Sequence, residues 1–140
     1  MPVLMHLFAY GTLMDPEIMH LASKGRYDAD PATLVGYVRK TVTGEVYPAI
    51  TESKEASVTG VVYFDVSVVA LERLDAFEGS LYRRTLVTVT ASTAQALDAY
   101  AYILSPAHVA RLSKVDWSYE AFLRNGRSAF LRTHLGIGEP

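Results

Sequence analysis

Between an apolar β-rich stretch ending at Val66 and a period-two stretch beginning at Thr85, the segment Leu74-Asp75-Ala76-Phe77-Glu78-Gly79-Ser80-Leu81-Tyr82-Arg83 closes an amphipathic helix. Asp65 or Ser67 can cap its first amides, and Gly79 stops it. At about 100° per residue, Glu78 falls seven positions after Leu71 and four after Leu74, on the apolar face that those leucines define. A carboxylate is therefore aimed where a leucine is expected. Burial disfavours its charged form and raises its pKa, the condition under which a glutamate serves as a general base near neutral pH. The same spacing also admits a helix-end glutamate that reaches around to solvent or pairs with Arg83 or Arg84.

The rest of the chain reads as strands with helices inserted. Residues 3–10 form an apolar run that predicts a buried first strand ending at Gly11. Asp15 suits an N-cap and Pro16 the first helical position, so a short helix is expected to about Ser23, ending before Gly25. Strand, glycine turn and helix start follow one another directly. Gly11 opens backbone conformations closed to other residues, so the following amides can converge on an oxygen carrying negative charge; an ordinary strand-to-helix turn is the alternative. Tyr27 to Thr33 reads as a surface connection, and Leu34 to Val46, broken by Gly36 and Gly44, as two strands and a tight turn. Tyr47-Pro48-Ala49-Ile50 reads as a pocket wall or a strand-edge interruption, and Glu52 to Glu55 as a polar, exposed segment. Ala56 to Val66 predicts a long strand with Gly60 as a bulge.

Thr85 to Thr90 alternates with a period of two, and Ala96 to Leu104 supplies a further strand with Tyr100 and Tyr102 on one face. Ser105-Pro106 opens a short helix to about Ser113, and Asp116 or Ser118 caps another that breaks at Asn125-Gly126. A last helix through Phe130 and Leu131 is expected to pack on the sheet, and the tail from Gly136 to Pro140 to fray.

At 140 residues the chain suits one domain, residues 1–140. Half its residues are hydrophobic, 20% are charged and the net charge is −2, as expected of a soluble globular protein. Lys and Arg number 13 against 15 Asp and Glu, so a nucleic-acid-binding role finds no support. The absence of cysteine removes disulfides, thiolate metal sites and a cysteine nucleophile. His6, His20, His108 and His134 lie too far apart in sequence to suggest a metal site. No Gly-x-Ser-x-Gly elbow or Gly-x-x-x-x-Gly-Lys loop is present, and Gly136 and Gly138 have no helix after them, so no cofactor is expected. Met1 to Phe8 lacks the marks of a signal peptide and no apolar run approaches about 20 residues, so the expectation is a cytoplasmic protein without membrane association.

Phe8-Ala9-Tyr10-Gly11-Thr12-Leu13, followed by Leu74-Asp75-x-x-Glu78-Gly79-x-x-Tyr82-x-Arg84, resembles the γ-glutamyl cyclotransferase-like superfamily. Tyr47-Pro48-Ala49 resembles the segment before that family's middle strand. Asp116-Trp117-Ser118-Tyr119-Glu120-Ala121-Phe122 is similar to the C-terminal helix of its plant avirulence-induced branch. The resemblance implies an α+β fold: a small mixed, mostly antiparallel, barrel-like sheet with peripheral helices. It also implies a reaction in which the substrate's own α-amine attacks its γ-carbonyl, giving 5-oxoproline and a free amine or amino acid without metal or cofactor. By resemblance, Glu78 is the general acid/base. The amides around Gly11, Thr12, Leu13 and Met14 bind the glutamyl moiety or the oxyanion, while Tyr10 and Tyr82 line the pocket, Tyr82 as a possible donor. Asp75 either raises the pKa of Glu78 by like-charge repulsion or anchors a loop amide.

The short Tyr-Gly-Thr-Leu turn departs from the Tyr-Gly-Ser-Asn-Leu form of the classical enzymes. It leaves the small-molecule partner open among γ-glutamyl amines, γ-glutamyl amino acids and glutamylated metabolites. A small-molecule sensor using the same pocket without turnover is the second reading. Oligomeric state is not legible.

Overall fold

The computed structural model describes residues 4–136. Six strands occur among them: β1 (Leu4–Ala9), β2 (Ala29–Val42), β3 (Pro48–Ser67), β4 (Tyr82–Ala91), β5 (Ala96–Leu104) and β6 (Leu112–Asp116). Four α-helices accompany them: α1 (Pro16–Ser23), α2 (Val68–Glu78), α3 (Tyr119–Asn125) and α4 (Arg127–Leu135). The sheet order is β3-β1-β5-β4-β2-β6, and β2 also pairs with β3, so the first five of these strands close into a ring. β6 pairs with the far end of β2, at Lys40↔Asp116 and Val42↔Leu112. Every pairing is antiparallel except β1–β5, which meet in parallel at Leu7↔Tyr100. This is the α+β, mostly antiparallel architecture with peripheral helices expected from the sequence, ring-like in its closure.

The apolar run in β1 follows from its place in the ring. Both of its faces are covered, so alternation of polar and apolar residues is lost. Leu7 packs with Ile18, Leu71 and Leu74 under α1 and α2, whereas Phe8 points the other way, among Ile50, Val58, Val62 and Val89. Helix α1 has the expected cap: Asp15 Oδ1 accepts from the Glu17 and Ile18 amides, and Pro16 follows. Its left-handed C-terminal residue is Lys24 (φ +69), one residue earlier than the glycine. For α2 the cap is Ser67, which accepts from the Ala70 amide, and Gly79 terminates the helix at φ +73.

Several boundaries differ from expectation. Tyr27 to Thr33 is not wholly a connection, because β2 begins at Ala29 and carries Pro31 opposite Val61. That proline lies just before β4 joins at Ala32 and Thr33, where the strand is still an edge on that side. Leu34 to Val46 holds no second strand. β2 continues to Val42 and bends at Gly36 (φ +91), and the hairpin turn falls at Gly44 (φ +78). At the bend the register jumps from Val35↔Ser57 to Tyr37↔Glu52, so the polar segment from Glu52 to Glu55 lies within β3, at an irregularity, and not between strands.

Gly60 is no bulge: it pairs in register with Ala32. A Cβ there would collide with the Ala9 carbonyl oxygen, so the absence of a side chain lets β1 approach β3. The helix expected from Ser105 to Ser113 is a 3-10 turn, Pro106–Arg111, followed by β6. The latter is a short polar strand that gains its conformation from the ladder β2 offers rather than from its own propensity. The expected strand start at Val3 and the frayed tail after Gly136 lie outside the described residues.

Because the obstacle at Gly60 is backbone, Gly60→Ala is expected to destabilise by more than about 2 kcal/mol in urea unfolding, opposite in sign to the gain of roughly 1 kcal/mol that the same change brings in an exposed helix. A cost below about 1 kcal/mol would show that β1 and β3 can separate without loss.

Candidate active site

Six of the seven residues singled out in the sequence line one cavity of about 110 Å³: Tyr10, Gly11, Thr12, Leu13, Glu78 and Tyr82. β1 and the turn after it supply the first four, the C-terminal end of α2 supplies Glu78, and the start of β4 supplies Tyr82. Met14 is not among the lining residues. Its amide donates to the Gly11 carbonyl (2.9 Å), closing the 3-10 turn Thr12–Met14, and its side chain packs against the core.

The amides of Gly11, Thr12 and Leu13 make no hydrogen bond to protein among the described residues. Gly11 is required by proximity rather than by handedness. Its φ is −128°, and a Cβ there would come to 2.9 Å from Cγ of Pro48, another wall of the cavity.

Both site tyrosines spend their hydroxyls on the backbone. Tyr10 donates to the Tyr102 carbonyl (2.5 Å) and Tyr82 to the Pro48 carbonyl (2.7 Å). Tyr82 thus braces the start of β3 instead of presenting a free donor. Burial, with the charge of Glu78 adding to it, raises the phenol pKa of both residues, so both stay neutral donors.

Glu78 is half-buried, and its carboxylate has no hydrogen-bond or ion-pair partner among the described residues. Burial pushes its pKa up to about 8. The alternative pairing with Arg83 or Arg84 does not occur. Arg84 is held by Asp75, with Nε at 2.8 Å from Oδ1 and Nη2 at 3.1 Å from Oδ2, and its guanidinium lies 4.6 Å from the centre of the Tyr100 ring. Asp75 also accepts from the Tyr102 hydroxyl (2.7 Å). It anchors side chains of β4 and β5, not the loop amide expected, and in doing so keeps a cation away from Glu78.

The remaining walls come from distant parts of the chain. Phe130 and His134 on α4 stack with centroids 4.6 Å apart, and Tyr47 meets them edge-on at 6.3 and 5.6 Å. Their i, i+4 spacing on one helix was the available signal. Phe77, Tyr102 and Arg111 also line it, with Phe8, Ala9 and Leu81. Helix α4 is secured by Arg127, which pairs with Asp15, the residue that caps α1. No group of three or more His, Asp and Glu placed to hold a metal ion occurs among the described residues, and no helix among them is long and apolar enough to cross a membrane.

A half-buried, unpaired carboxylate, three amides without a protein partner among the described residues and an aromatic surround thus meet on a ring-closed sheet. Residues 7–119 match the family model "Gamma-glutamyl cyclotransferase, AIG2-like", and the chain belongs to that family. It is 30% identical to AIG2-like protein A of Arabidopsis thaliana over 96% of this chain and 81% of that protein. A solution structure of an Arabidopsis thaliana protein superimposes with a TM-score of 0.74 at 26% identity, covering 97% of this chain and 82% of that one. A structure titled γ-glutamyl cyclotransferase shares the fold, with a TM-score of 0.63 at 21% identity over 72% of this chain and 66% of that one.

The raised Glu78 pKa has a consequence for stability. Between the ordinary value of 4.5 and about 8 the folded protein holds a proton that the unfolded chain releases, so stability falls as pH rises through that window. Glu78→Gln removes this titration. Its stability relative to wild type should therefore rise with pH across the window, by at most about 1.4 kcal/mol per pH unit. Urea unfolding at about pH 5 and about pH 8 measures it; an unchanged difference would mean that Glu78 is solvated.

Proposed function

We propose that the protein is a γ-glutamyl cyclotransferase that converts a γ-glutamyl compound to 5-oxoproline and a free amine. The observation that carries this reading is the unpaired, half-buried carboxylate of Glu78 sharing one small cavity with the free amides of Gly11, Thr12 and Leu13. The fold shared with a γ-glutamyl cyclotransferase supports it.

In this mechanism the substrate's neutral α-amine attacks its own γ-carbonyl carbon. Folding the substrate so that nitrogen and carbon meet supplies much of the acceleration, on the order of 7 to 11 kcal/mol in well-oriented systems. As the new C–N bond forms, Glu78 takes a proton from the attacking nitrogen, and the carbonyl oxygen gathers negative charge that the turn amides stabilise. Collapse of this intermediate breaks the bond to the leaving nitrogen, to which Glu78 returns the proton. Atoms and charge balance without water. A carboxyl with a pKa of about 8 suits both halves, because it accepts and returns a proton near neutrality with little bias. Tyr10 and Tyr82, their hydroxyls already committed, act as rigid walls.

Release of 5-oxoproline from a panel of γ-glutamyl amines and amino acids, followed by mass spectrometry, tests the reading. Wild type should turn over at least one compound, and a folded Glu78→Gln should lose about 10²- to 10⁴-fold in kcat/KM. The base must be ionised, so the wild-type rate should climb with pH towards about 8, as Glu78 ionises. No release by wild type, or full activity in Glu78→Gln, would sink the mechanism. Binding of the same compounds without turnover would favour a sensor.

A further inference from the structure

The cavity lining contains one Lys or Arg side chain, Arg111, and no part of the cyclisation uses it. It ends the 3-10 turn that precedes β6, and its carbonyl accepts from the Thr43 amide (2.8 Å), which fixes it against the β2–β3 hairpin turn. Its guanidinium lies 3.5 Å from Glu45 Oε2 and also reaches the Tyr47 hydroxyl, and the Arg111 and Glu45 side chains are substantially exposed, 45% and 35%. An exposed pair at that distance contributes little, and most of the guanidinium's five donors stay open. A second carboxylate, offered in the bidentate geometry that arginine favours, would displace Glu45 readily.

We infer that Arg111 holds a carboxylate on the leaving group, so that the amine released is an amino acid rather than a simple amine. The inference rests on the cyclotransferase reading. Two carboxylates are available in such a substrate, and placement separates them. The glutamyl half must lie where its α-amine and γ-carbonyl reach Glu78 and the turn amides, at the inner part of the site. The leaving group must face the way out, and Arg111 is the exposed side of the lining. Beside it stands Tyr47, whose phenol feels the opposing charges of Glu45 and Arg111, and whose ring contacts Phe130 and His134. An amino acid seated there puts its carboxylate on Arg111 and its side chain against an aromatic surface, which favours apolar and aromatic leaving groups.

γ-Glutamyl-phenylalanine and γ-glutamyl-phenethylamine differ only in that carboxylate. Calorimetric binding of both to Glu78→Gln, with and without Arg111→Gln, is measured beside turnover by wild type and by Arg111→Gln alone. We expect the phenylalanine compound to be preferred by about tenfold or more in affinity and in kcat/KM, and Arg111→Gln to bring that ratio to within about twofold. Arg111→Lys, which keeps the charge without the fork, should retain part of the preference. Turnover of both compounds without a preference, or an equal loss on both in Arg111→Gln, overturns the assignment while leaving the cyclotransferase reading in place; the equal loss would put the glutamyl carboxylate on Arg111. Arg111-dependent preference in binding with no turnover keeps the carboxylate site and removes the cyclotransferase. Binding of neither, with no turnover, removes both.

Discussion

The site depends on β3 being long enough to serve two neighbours at once. Over its 20 residues it pairs with β1 near its end and with β2 along most of its length, and this double pairing closes the ring. Closure brings Gly11, in the turn after β1, against Pro48 at the start of β3, and the side-chain-free positions Gly60 and Gly11 permit the approach. Arg39 on β2 adds a cross-link, donating to the carbonyls of Tyr10 (2.8 Å) and Thr59 (3.0 Å) while stacking near Trp117. Strand ends that would fray in an open sheet are held here, and the amide turn after β1 inherits their rigidity.

The polar groups around the cavity are divided between structure and chemistry. Asp75, Arg84 and Tyr102 satisfy one another, and the hydroxyls of Tyr10 and Tyr82 are taken up by carbonyls. What is left unpaired is a carboxylate and a set of amides. An unpaired acid in a half-buried place destabilises the fold, and natural proteins carry such groups mainly where a reaction needs them. The neighbouring Asp75–Arg84 pair makes this arrangement possible, since a free arginine beside Glu78 would lower its pKa and quench it as a base near neutrality.

What the sequence made legible was local. The Asp15-Pro16 helix start, the end of α2 at Gly79, the β5 span and the apolar face carrying Glu78 all rest on neighbouring residues, and all hold. Six of the seven residues singled out share one cavity because they sit on two short motifs, at the end of β1 and around the end of α2. Met14 shares the turn but lies outside the cavity lining, because its own amide closes the turn's hydrogen bond. β2 was harder: glycines at 36 and 44 look alike in sequence, yet one bends a continuous strand and the other makes the turn, a choice decided by pairing with β3. Phe130, His134 and Arg111 were not recognised because their importance arises only when α4 and the 3-10 turn before β6 fold back over residues more than thirty positions away.

The position of β1 in the ring has a consequence for the order in which the chain is made. Residues 4–9 emerge before both of their neighbours, one at residues 61–67 and the other at Tyr100. During synthesis at about 5–20 residues per second, the first strand waits for seconds before either partner exists, and longer for the second. Such long-range closure belongs to the slow end of small-domain folding, roughly milliseconds to seconds, and leaves an apolar strand with an open edge in the interval. The nascent chain is thus most exposed to misassociation before β5 is complete, which makes this a protein for which chaperone contact should concentrate on β1.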